Sequence, residues 1–105
     1  MPFRMKLQSV GIGLEELIGG ACRYFGIGEK DLCGPTKRPR IAQARGVIGH
    51  MAVRELSISG SEVARRFKQD RSAVSRAAQR VENNEELMRT ATAIMEQLRG
   101  ETKQS

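Results

Sequence analysis

Arginine, serine and glutamine recur on one side of the segment Asp70-Arg71-Ser72-Ala73-Val74-Ser75-Arg76-Ala77-Ala78-Gln79-Arg80. At helical spacing, Arg71, Ser72, Ser75, Arg76, Gln79 and Arg80 share a polar face, and Val74, Ala77, Ala78 and Val81 share an apolar one. Such a polar face suits a partner with patterned hydrogen-bonding edges. A guanidinium donates two bonds to guanine, a serine hydroxyl serves a base or a phosphate, and the Ala73 methyl meets a thymine methyl. The preceding segment, Ser59-Gly60-Ser61-Glu62-Val63-Ala64-Arg65-Arg66-Phe67, reads as a shorter helix, and Lys68-Gln69 as a tight turn. Two helices so joined are the layout of a helix-turn-helix, whose second helix lies in the major groove of a duplex.

A second constellation is Lys37-Arg38-Pro39-Arg40, followed by Arg45. Proline stiffens this strip and lowers the entropic cost of ordering it on a partner. It suits a phosphate backbone, or an arginine placed in a narrow minor groove. Ser59 and Ser61 open the shorter helix, where free backbone N–H groups bind a phosphate, although capping is the main role expected of Ser59. The expected DNA-contacting set is Lys37, Arg38, Arg40, Arg45, Ser59, Ser61, Lys68, Asp70, Arg71, Ser72, Ala73, Ser75 and Arg76.

Other chemistries lack support. His50 is the sole histidine and lies mid-helix, and with two distant cysteines it does not make an ordinary zinc site. No GxxxxGK[ST] loop occurs, and Gly11-Ile12-Gly13 is too short to signal a nucleotide site. Glu15-Glu16 and Glu85-Glu86 read as first-turn partners of helix dipoles rather than a converging acid pair. No catalytic residue, metal, cofactor or small-molecule substrate is expected, so the chain is not read as an enzyme.

Charge placement agrees. The 105 residues carry a net charge of +6, and residues 34–80 hold eleven of the 18 basic residues but only three of the 12 acidic ones. That segment therefore carries +8 and the remainder −2. A concentrated positive field favours a polyanion. No run approaches the roughly 20 apolar residues of a membrane span, and Cys22 falls on an apolar stripe as a buried thiol, so a cytoplasmic location with reduced cysteines is expected.

Helices must carry these residues. Period-two runs are missing, Trp is absent, and apolar spacing of three and four dominates. The expected fold is all-α, a compact bundle of about five helices. The first runs from about Leu14 to Phe25, with Gly26 as a left-handed stop. Its Gly19-Gly20 pair implies a close helix approach. Residues 28–33 form one turn that buries Leu32. Two prolines make 34–40 a basic loop. A long helix follows from about Ile41 to Leu56, with Ile41, Ala44, Ile48, Met51, Ala52 and Leu56 inward. Ser59 and Glu62 form a capping box and Ile58 staples onto Val63. Asp70 caps the next helix, and its small Ala77 and Ala78 allow close packing on the helix before. Asn84 caps a last helix of about 85–99, with Leu87, Ala91, Ile94, Met95 and Leu98 inward, and Gly100 ends it. Residues 1–12 read as a flexible arm, 13–100 as the DNA-binding domain, and 101–105 as a frayed tail.

The order of parts has a family likeness. A helix ending Tyr24-Phe25-Gly26-Ile27, then Asp31-Leu32, the basic stretch Lys37-Arg38-Pro39-Arg40-Ile41-Ala42-Gln43-Ala44-Arg45, the helix end Ala52-Val53-Arg54-Glu55-Leu56 and the helix-turn-helix together resemble the C-terminal DNA-binding domain of the replication initiator DnaA. The resemblance covers roughly residues 14–98. It implies an all-helical fold related to that of the Trp repressor, and duplex-DNA binding through both grooves. By position, Arg40 and Arg45 resemble the family's basic-loop residues. Asp70, Arg71, Ser72 and Ala73 stand where the family has Asp-His-Thr-Thr, and only the aspartate matches. The turn before them is one residue shorter. These departures fall where bases are read. The stretch Ser59–Ala64 with Arg71–Arg76 is also similar to the DnaA-like tail of REP-associated transposases. Those enzymes place a paired histidine and a tyrosine in a separate catalytic domain. One histidine and one tyrosine do not make that domain, so a catalytic domain or partner protein encoded upstream is a possible associate.

The expected function is noncatalytic, sequence-specific double-stranded DNA binding, serving replication, transposition or transcriptional control. The rival is a protein-interaction adaptor that docks a partner on the helix-turn-helix or on the Met-bearing last helix. Under the first reading Arg71→Ala relaxes base preference at one position, and Lys37→Ala weakens binding to all sequences alike.

Overall fold

A computed structural model describes residues 12–34 and 38–103. Among them are six helices and no strand: α1 (Leu14–Phe25), α2 (Glu29–Cys33), α3 (Pro39–Glu55), α4 (Gly60–Phe67), α5 (Arg71–Glu82) and α6 (Glu85–Lys103). The all-α expectation holds, with one helix more than the expected five. The radius of gyration, 12.7 Å, matches the ~13 Å of a compact 100-residue domain.

Local chemistry sets most helix ends. Gly26 takes φ 69°, and the N–H groups of Gly26 and Ile27 both reach the Cys22 carbonyl, which closes α1 where expected. The Ser59 hydroxyl accepts from Glu62 N at 3.2 Å, the forward half of the expected capping box. Asn84 Oδ1 accepts from Leu87 N at 3.1 Å and starts α6. α4 ends on Lys68, which adopts φ 56° without being a glycine. Lys68 N and Gln69 N bond back to Arg65 and Ala64, so the turn between α4 and α5 is only three residues long.

Two boundaries differ from the sequence reading. Pro39 and Arg40 are the first turn of α3 rather than loop. A proline at the first helical position lacks only an N–H that has no intrahelical partner there, and its φ already suits the helix. Gly100 does not stop α6, which continues to Lys103 and takes in the start of the expected tail. A glycine forms a left-handed stop only where φ turns positive, and Gly26 is the only described glycine that does so. The expected arm, 1–12, lies outside the described residues except Ile12, which is buried in the core.

The core is apolar throughout, with no buried polar or charged residue among those described. Every inward position expected on α3 is buried, and Val47 joins them. Leu32 is fully buried, as its single turn implied. α3 is the central helix and packs most extensively against α5.

Candidate nucleic-acid interface

Glycines 46 and 49 set how closely α5 approaches α3. A Cβ added at Gly46 would stand 2.6 Å from the Ala77 carbonyl oxygen and 2.9 Å from Val81 Cγ2. One added at Gly49 would stand 3.3 Å from Val74 Cγ1 and 3.9 Å from Ala78 Cβ. The small residues Ala77 and Ala78 thus meet the glycines of α3. The sequence reading placed them against the helix immediately before. The close approach expected of Gly19-Gly20 is half right: Gly20 lies under Leu98 of α6, whereas Gly19 has open space.

Both ends of α5 are also held. At its C-terminal end, Glu82 accepts from His50 Nδ1 at 3.2 Å and from Arg54 Nε at 3.2 Å. Burial alone would raise the Glu82 carboxyl, but the hydrogen bonds and charges of Arg54 and His50 together hold it below its ordinary value. At the N-terminal end, Gln69 Nε2 donates to Phe67 O at 3.3 Å and to Gly34 O at 3.4 Å.

So seated, α5 presents Arg71, Ser72, Ser75, Arg76, Gln79 and Arg80 to solvent, with Ala73 half-buried. These are the residues the 3.6-residue pattern assigned to the polar face. Lys68, Asp70, Ser59 and Ser61 are exposed nearby in sequence. Asp70 is the N-cap of α5 by backbone geometry, but its carboxylate makes no capping hydrogen bond, contrary to expectation. It stands at the positive end of the helix dipole.

Of the second constellation, Arg45 meets α5 across a groove. Ala42 and Arg45 of α3 line one side, with Gln69, Ala73, Val74, Arg76, Ala77 and Arg80 completing it around about 380 Å³. The start of α3 and the face of α5 therefore lie on the same side of the molecule. Arg38 and Arg40 are exposed at and beside the first turn of α3. Pro35, Thr36 and Lys37, which the sequence reading placed in a basic loop, lie outside the described residues.

Arg45 departs from its expected use. Its Nε donates to Leu32 O at 2.8 Å, and its Nη2 to Gly34 O at 2.6 Å and Asp31 O at 3.1 Å. Burial pushes its pKa below the ordinary arginine value, although the group stays charged at neutral pH. The guanidinium is a strut for the carbonyls that end α2, of which Asp31 O accepts in addition only the 3.4 Å bond from Gly34 N. It borders the groove while bonded to the protein.

Sequence reasoning missed a second engaged arginine. Arg66 forks onto Glu15 at 2.7 and 2.9 Å, reaches Glu29 at 3.0 Å, and donates from Nη1 to Cys33 Sγ at 3.3 Å. These bonds tie α4 to α1 and α2. The Glu15 hydrogen bond raises Arg66 further above its ordinary value, and the same bond lowers Glu15. Cys22 is buried as expected, and burial raises its thiol.

The bacterial DnaA protein helix-turn-helix family matches residues 14–81, from the start of α1 to near the end of α5. The chain belongs to that family. The match spans more than half of the sequence and contains every element that builds the groove. Membership points to DNA binding through the helix-turn-helix, and double-stranded DNA is what domains of this family bind. No curated protein matches the sequence. Among the described residues no helix is long and apolar enough to cross a membrane.

Proposed function

We propose that this DnaA-type domain recognises a specific duplex sequence without performing catalysis, reading bases with α5 and holding the backbone with the cations around the groove. The observation that carries the reading is the solvent-facing row Arg71, Ser72, Ser75, Arg76, Gln79 and Arg80, set beside a groove that α5 shares with the start of α3. Arg71, Ser72, Ser75 and Arg76 are the base readers, and the Ala73 methyl faces a thymine. Arg38, Arg40, Lys68 and Lys37 hold phosphates, and Ser59 and Ser61 offer backbone donors at the start of α4. Because Arg71, Ser72 and Ala73 replace residues of the Asp-His-Thr-Thr signature, the preferred site differs from the initiator's box. A transposase-associated role and a role in replication are both compatible with this reading.

Selection of bound duplexes from a random pool tests it: one consensus is expected, and its absence refutes sequence specificity. The described exposed cations of the interface are Arg38, Arg40, Lys68, Arg71, Arg76 and Arg80. With about six phosphates neutralised, log affinity falls with log salt at a slope of about −5 to −6. Binding indifferent to salt would overturn the reading. The adaptor alternative lacks support on this face. Among the described residues the exposed large apolar ones are Tyr24 on α1 and Val53 on α3, and neither lies on α5.

A further inference from the structure

Two donors from different parts of the chain converge on the Gly34 carbonyl. One is Arg45 Nη2 at 2.6 Å, from the second turn of α3. The other is Gln69 Nε2 at 3.4 Å, from the turn that launches α5. Arg45 also holds Asp31 O and Leu32 O. Gly34 is itself confined, because a Cβ there would stand 3.2 Å from the Lys30 carbonyl. The carbonyl end of α2 is thereby joined both to the base of α3 and to the start of the recognition helix.

We propose that Arg45 and Gln69 are positioning residues, which by sharing the Gly34 carbonyl fix Arg38 and Arg40 in place relative to the reading face of α5. The inference rests on the DNA-binding reading above but assigns Arg45 a different task. A guanidinium bonded to three carbonyls acts through geometry, not through a phosphate of its own. Lysine carries the same charge but lacks the planar fork, so it does not reproduce three bonds in fixed directions. Gln69 is neutral, so any effect of removing it comes without a change of charge. With the junction loosened, two flexible arginines must be ordered at the moment of binding, a cost equivalent to about tenfold in affinity.

The test uses the whole chain with three variants, Arg45→Lys, Gln69→Ala and the double variant, measured on the selected duplex and by NMR relaxation without DNA. Thermal melts verify that each is folded. The expected result is about tenfold weaker binding for Arg45→Lys, a smaller loss for Gln69→Ala, and a double variant no worse than Arg45→Lys alone, because both act through one carbonyl. The relaxation data are expected to show greater backbone motion at Gly34, Arg38 and Arg40. The slope of affinity against salt stays that of the parent, since no phosphate contact is removed. Parental affinity for Arg45→Lys would show that charge alone suffices and would overturn the proposal. Strictly additive losses, or unchanged order at Gly34 and Arg38, would do the same. Failure of the parent chain to bind any duplex would sink the DNA-binding reading, while the relaxation data would still decide whether the two residues fix Gly34 and Arg38.

Discussion

Alanine at positions 46 and 49 is the same substitution on the same helix three residues apart, and the structure predicts opposite outcomes. At Gly46 the new Cβ would lie 2.6 Å from the Ala77 oxygen, and an ordinary contact begins near 3.4 Å. Relief requires a shift of about 0.8 Å, and the obstacle is the backbone of α5, which has no rotamer to change. Overpacking of this kind costs about 1–3 kcal/mol. Replacing a helical glycine with alanine returns about 1 kcal/mol. The clash with backbone puts the cost at the upper end, so Gly46→Ala loses about 2 kcal/mol net. At Gly49 the nearest atom is a Val74 methyl at 3.3 Å, which a small rotation accommodates. There the helical gain prevails, and Gly49→Ala is neutral or more stable by up to about 1 kcal/mol.

Urea titrations and thermal melts measure both. At about 4–8 °C per kcal/mol for a domain of this size, Gly46→Ala melts roughly 8 °C or more below the parent, while Gly49→Ala melts at or above it. Gly46→Ala also displaces α5 from the start of α3, so its affinity for duplex falls at temperatures where it is fully folded. A Gly46→Ala protein as stable as the parent, or equal losses at the two positions, would refute the claim that these glycines set the depth of the recognition helix.

The remaining predictions separate residues that look alike in the sequence. Arg71→Ala relaxes preference at one base position and costs about 1–3 kcal/mol on the best site, whereas Arg40→Ala weakens all duplexes alike and lowers the salt slope by about one, read by titrating matched and mismatched probes at several salt concentrations. Ser59→Ala costs about 1 kcal/mol of stability because a capping bond is lost, while Asp70→Ala costs less because none is made; urea melts compare them. Glu15 is held below the ordinary glutamate value of 4.5 by Arg66, so the stability it contributes is present at neutral pH, persists down to about that value, and is lost as pH falls through its lower folded value. Urea stability compared at pH 7 and pH 3 falls less in Glu15→Gln than in the parent. Glu82→Gln frees charge at Arg54 yet loosens the end of α5, so binding to random duplex tightens while the ratio of specific to random binding falls.

The fold was legible wherever a helix end depends on its own few residues. Gly26, Ser59 and Asn84 each act within four positions of themselves, and each acts as its residue type implied. The polar face of α5 was legible because period 3.6 is a property of one segment. Pro39 was misjudged because proline opens a helix as readily as it interrupts one, and the residues alone do not say which. Gly100 was misjudged for a related reason, since glycine permits a left-handed turn without requiring it. The packing of α5 on α3 depended on a pairing of helices no local signal states, although the spacing of Gly46 and Gly49 on one side of α3 was a visible hint.

Arginine was the least legible residue type, because a guanidinium is attracted to any oxygen and the sequence does not say whose. Within residues 34–80, Arg45 binds three carbonyls, Arg54 binds Glu82, and Arg66 binds Glu15 and Glu29. Each of these three links helices, Arg66 joining α4 to both α1 and α2, and none is a simple phosphate finger, although all were counted in the +8 that pointed to a polyanion. The field survives the correction, since carbonyl bonds do not neutralise Arg45 and the exposed cations of α5 remain. What changes is the division of labour. The engaged arginines hold the elements at fixed separations, so the exposed ones meet a duplex with less ordering left to do. A basic chain lacking those internal struts would attract DNA by charge, but it would discriminate poorly among sequences, because discrimination needs donors already aimed at particular base edges.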